Sequence, residues 1–136
     1  MDRFVKGFIV MSIVYLGAAA VLGVCMLANP NLTALKFVHS HLNMLGWVSM
    51  MIYGVGYHIL PRFMGRPVYS AKIGEVQLYL ANISLVAMLV FYTLNAYNPG
   101  GGYRTLTVVF GAVQVVAIFL FFYNMLRTLL AKVEQK

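Results

Sequence analysis

The sequence predicts an all-α integral membrane fold: four helices in an up-down bundle, one transmembrane domain, assembled as a homo-oligomer. Three observations lead there. Of 136 residues, 62% are hydrophobic and only 10% charged, whereas a soluble domain carries roughly 25% charged residues. The apolar residues gather into four runs, each near the roughly 20 residues that a spanning helix needs. The charges fall in the short segments between those runs. This balance excludes a disordered chain, a nucleic-acid-binding domain and a soluble enzyme. The net charge of +7 then reads as membrane topology, not as affinity for nucleic acid.

The first span is expected from about 8 to 28, stopping at Asn29-Pro30. Met1 to Lys6 looks like the basic lead of a secretion signal. The run after it is long enough to span and has no clear cleavage site, so it is expected to remain as a mature helix. Cys25 is the only cysteine; it cannot form an intrachain disulfide and is expected to be a small buried hydrophobe. The second span is expected from about 38 to 60, ending at Pro61, and the third from about 76 to 94, before the Asn98-Pro99-Gly100-Gly101-Gly102 turn. Glu75, just ahead of the third, reads as an interfacial cap. The fourth span is expected from about 106 to 130. Short connections make sequential helices antiparallel neighbours. Gly17, Gly23, Gly46, Gly54, Gly56 and Gly111 are small residues that let helices approach, although Gly46 and Gly54 could instead make room for a flat ligand.

Orientation follows from the Lys and Arg residues. Arg3 and Lys6, Arg62, Arg66 and Lys72, and Arg127, Lys132 and Lys136 lie on one side, eight in all; Lys36 and Arg104 lie on the other. The positive-inside rule puts both termini in the cytoplasm of a cell whose inner membrane holds the chain. The second helix then starts at the outer face and ends inside.

Four residues in that helix do not belong in lipid: His39, His41 and Asn43 near its outer end and His58 near its inner end. Ionisable residues within a span are costly and point to function. Positions 39 and 41 are separated by about 200° on an α-helix and face nearly opposite ways. One metal ion cannot easily take both imidazoles, but two cofactors, one on each side, could each take one. His58 lies roughly 28 Å further along and belongs to the opposite membrane face. It reads as a hydrogen-bonded interfacial residue or, alternatively, as a second metal site.

The stretch from His39 to Ser70 resembles the tenth helix of the catalytic subunit of heme-copper oxidases, and most closely that of the C-type oxidases and nitric oxide reductases. The elements that carry the resemblance are His39-Ser40-His41, Leu45-Gly46-Trp47, Gly54 and Gly56, Tyr57-His58-Ile59-Leu60-Pro61, and Gly65-Arg66. It covers about a quarter of the chain. It implies that His39 matches the ligand of the high-spin heme, where gas binds, and His41 that of the low-spin heme, which relays electrons. It also implies non-covalent heme b, with Asn43, Gly46 and Trp47 near the cofactor and Arg104 placed for a heme propionate. The chain departs from the family in holding one arc of four helices where the full subunit has three. The copper ligands belong to absent arcs, so copper has no support here, and His58 stands where the family has an aromatic residue.

Identical copies standing in for the missing arcs would let histidines of neighbouring chains clamp a heme, with a trimer favoured over a dimer. Two functional classes follow. One is a redox protein, either an electron-transfer cytochrome or an oxidoreductase acting on oxygen or nitric oxide, served by an electron donor that the sequence does not identify. The other is a non-enzymatic protein that binds or senses a diatomic gas, or handles heme. A metal-ion permease is the weaker third reading, because no carboxylate lies within a span to relay cations or protons. No catalytic residue can be named from the sequence.

Overall fold

The computed structural model describes residues 1–130, all of it helix and connecting turns with no strand among them. Lys132 and Lys136, counted in the orientation argument, lie outside the described residues. The elements are α1 (Arg3–Ala28), a 3-10 turn (Pro30–Leu35), α2 (Lys36–His41), a π-helical segment (Leu42–Ser49), α3 (Met50–Phe63), α4 (Ala71–Tyr97) and α5 (Tyr103–Leu130). Three of them, α1, α4 and α5, are continuous helices long and apolar enough to cross a membrane. The second expected span is helical throughout residues 36–63, but it passes through the wider π turns on the way.

Local chemistry sets the ends. α1 stops because a residue before proline is pushed out of the α region. Asn29 is accordingly extended, and its side chain accepts from the Asn31 N–H at 3.0 Å to start the next turn at Pro30. Pro61 does not end α3, as the sequence suggested; it sits buried within the last turns. The stop comes at Gly65, whose φ of +63° suits glycine. There Gly65 N–H donates to Arg62 O and Arg66 N–H to Pro61 O, both at 3.0 Å, the paired bonds of a Schellman cap.

α4 begins at Ala71, earlier than the apolar run, because Ser70 caps it by accepting from Ile73 N–H. Glu75 therefore lies inside the helix and is exposed, and the expected capping role belongs to Ser70. Cys25 is likewise exposed, not buried.

α1 packs along the π segment and α3, α4 packs along α5, and contacts between α1 and α4 and between α3 and α5 join the two pairs. The core is aromatic toward the end that holds the 64–70 loop. Phe4 meets Tyr57 edge-on at 5.2 Å, Phe8 meets Tyr53 at 5.5 Å, and Tyr53 meets Phe121 at 4.7 Å. Outward positions such as Val14, Val21, Val24, Ile83, Val108 and Phe119 are large, apolar and exposed, the inverse of a soluble surface. Two of the expected close approaches are present: a Cβ on Gly46 would lie 2.7 Å from Tyr15 Cβ, and one on Gly54 would lie 2.6 Å from Ile9 Cγ1. Gly17 faces open space and plays no such part.

Candidate functional site

His39 and His41 occupy the last turn of α2, immediately before the π segment. The tautomer of each follows from its neighbours, because a carbonyl oxygen can only accept. His39 Nδ1–H donates to Ala19 O of α1 at 3.1 Å, and His41 Nδ1–H donates to Phe37 O, one turn back, at 2.9 Å. In both rings the lone pair is thereby left on Nε2, the arrangement in which a backbone carbonyl orients a histidine for a metal.

The two rings then differ. Asn43 spends both amide hydrogens on His39, one on its carbonyl at 2.9 Å and one on its Nε2 at 3.3 Å. His39 is also pressed against α1, where a Cβ on Gly23 would lie 3.0 Å from its Cε1. His41 Nε2 has no hydrogen-bond partner among the described residues, and its ring is half-buried. It stacks on Phe37 with centroids 3.8 Å apart, and Phe37 stacks on Tyr92 of α4 at 4.2 Å. Two rings that close to Phe37 cannot share one of its faces, so Phe37 is sandwiched between them.

The other expected site residues are dispersed. The open side of Gly46 is filled by Tyr15, so here glycine serves helix approach and leaves no room for a flat ligand; Gly54 is filled likewise by Ile9 and Phe8. Trp47 is 37% exposed on the outside of the π segment. Arg104 lines a cavity of about 500 Å³ with Phe37, Tyr92, Asn95 and Thr107. His58 lies with Arg62, whose guanidinium contacts its ring; that charge opposes a metal cation there. Among the described residues no three His, Cys, Asp or Glu side chains gather to hold a metal ion.

Sequence reasoning passed over a second set of polar residues. Gln77, Ser84, Gln114, Asn124 and Thr128 are buried. The Ser70 N–H donates to Asn124 Oδ1 at 3.0 Å, while Asn124 Nδ2 donates to Ser70 O at 2.8 Å and to Tyr57 Oη at 3.2 Å. The Tyr57 hydroxyl must then donate onward, and it does so to Gln77 Oε1 at 2.7 Å. The chain of donors ends at Gln77 Nε2, which has no partner among the described residues; Gln114 Nε2, beyond the Ser84–Gln114 bond, has none there either. Isolated amides inside apolar runs were the available signal.

No family model matches the chain. It is 28% identical, over 73% of its length, to the cbb3-type cytochrome c oxidase subunit CcoN1 of Stutzerimonas stutzeri, and it spans 22% of that protein's length. This likeness supports a distant relation to the heme-copper oxidases, and with three helices apolar enough to cross a bilayer it supports a membrane protein.

Proposed function

We propose that the chain is a heme b-binding membrane protein in which His41 Nε2 would hold the iron together with a histidine of a second copy. The observation that carries this reading is the state of His41: its Nδ1 is pinned to Phe37 O, its ring is held against Phe37, and its Nε2 is unengaged. His39 is a ligand in reserve, available once Asn43 releases it. Bound heme would supply one-electron chemistry, and at a five-coordinate iron a site for a diatomic gas. The chain's own residues orient the imidazole, exclude water with Phe37 and Tyr92, and offer Arg104 as a cation for a carboxylate near the same stack. The heme would be held non-covalently, since the only cysteine, Cys25, has no partner for a Cys-x-x-Cys-His attachment.

One unengaged imidazole nitrogen per chain favours a specific second reading. A monomer with heme would leave one iron position open for gas, whereas paired copies would close it and favour electron transfer. The test is the reduced protein's absorption spectrum with and without carbon monoxide, alongside its oligomeric state. Assembled copies with a spectrum unmoved by carbon monoxide would support electron transfer. A shifted spectrum would support gas binding. Purified protein without any heme, after expression with ample heme supply, would contradict both.

A further inference from the structure

At the end of the molecule away from His39 and His41, α3, the 64–70 loop and the start of α1 enclose a cavity of about 340 Å³. Among the described residues its polar wall holds His58, Arg62 and Arg66 with the carboxylate of Asp2, and its lining includes Val5 and Val68. Arg62 is the informative member. A guanidinium carries five donors and no acceptor, and its natural partners are carboxylates and phosphates, which it binds bidentately. Among the described residues Arg62 meets no carboxylate; its guanidinium contacts the His58 ring, where a single lone-pair nitrogen can accept from it, a weaker partner than a carboxylate. Among the described residues the cation therefore has no anionic partner.

The position says which anion fits. Arg62 follows directly on the apolar run that ends at Leu60-Pro61, so the cavity lies where hydrocarbon gives way to headgroups. Basic pockets between helices at the cytoplasmic surface hold anionic lipid headgroups. Apolar walls beside the cations suit a molecule with a phosphate at one end and acyl chains at the other, and suit a free phosphate poorly. We propose that this cavity binds the phosphodiester of an anionic phospholipid, with Arg62 as its principal contact and His58 as the group that holds Arg62 ready. The proposal rests on the membrane placement of the chain and is independent of heme.

The test uses the full chain in detergent, with thermal unfolding followed as phosphatidylglycerol, phosphatidylcholine or inorganic phosphate is added. Phosphatidylglycerol is expected to raise the unfolding temperature at lower concentration than phosphatidylcholine, and inorganic phosphate to have no effect. Arg62→Gln, at an exposed position, is expected to weaken the phosphatidylglycerol response roughly fivefold. Arg62→Lys should retain much of it, and Lys36→Gln, at an exposed position at the other end, all of it. Equal responses to the two lipids, stabilisation by inorganic phosphate alone, or an undiminished preference in Arg62→Gln would each overturn the proposal. Heme content, read in the same samples, reports separately on the His41 site.

Discussion

Tyr57 is held by bonds whose directions are forced one from the next, and that makes its contribution measurable. Tyr57→Phe would strand an Asn124 amide hydrogen and the Gln77 carbonyl oxygen; Gln77→Leu would strand the Tyr57 hydroxyl. A buried group left without its partner costs about 1–3 kcal/mol. Each single substitution is therefore expected to destabilise, and the double substitution to cost less than the sum by about 1 kcal/mol, because neither partner is then left behind. Reversible unfolding of the four proteins in detergent checks this, and strict additivity would show that the bonds are not coupled. These residues were hard to see in the sequence because uncharged amides scarcely lower the apolar average of a span. The histidines stood out because their ionisation makes them costly in lipid. Opposite placement of His39 and His41 was legible from helical spacing, since α2 is regular up to His41. That Asn43 would occupy one imidazole and leave the other open was not, because it depends on side-chain direction.

Among the elements, the π segment is the feature no apolar pattern announces. The run from Leu42 to Ser49 is apolar nearly all round, so a change in turn width leaves its hydropathy unchanged. Within it Gly46 brings the backbone onto the Tyr15 side chain. The effect of the segment is a shift in phase, so a direction extrapolated from His41 does not reach His58 correctly. π turns of this kind concentrate at functional sites, and this one begins directly after the two histidines. Gly46→Ala would force a methyl group to within 2.7 Å of Tyr15 Cβ and is expected to cost about 1–3 kcal/mol by overpacking. Gly17→Ala, with nothing within 4 Å, is expected to be neutral or to stabilise by up to about 1 kcal/mol. Equal effects at the two positions would remove the packing account of the segment. The helix ends ran past the apolar runs for a related reason: Lys72 and Glu75 are polar yet helical, held by the Ser70 cap.

For the whole molecule, its all-helical make-up and the three long apolar helices α1, α4 and α5 were legible because lipid imposes length and composition on a span. Their orientation and assembly depend on the membrane and on neighbouring copies. The connections alternate: Asn31 and the 98–102 turn share one end, where Tyr97 Oη donates to Asn31 O at 3.3 Å, and the 64–70 loop lies at the other. Charge asymmetry predicts that the first end is outside. With the exposed Cys25 first replaced by Ser, Asn31→Cys and Pro99→Cys should react with an impermeant thiol reagent in intact cells, and Met64→Cys only after the membrane is opened. The reverse pattern would invert the topology and move the histidine pair to the cytoplasmic side.

Heme binding through His41 Nε2 is read out by the reduced-minus-oxidised spectrum of the purified protein beside those of His41→Ala and His39→Ala. Loss or conversion of the low-spin heme signal in His41→Ala, with most of it retained in His39→Ala, is the predicted result. An unchanged heme content and Soret band in His41→Ala would contradict the account.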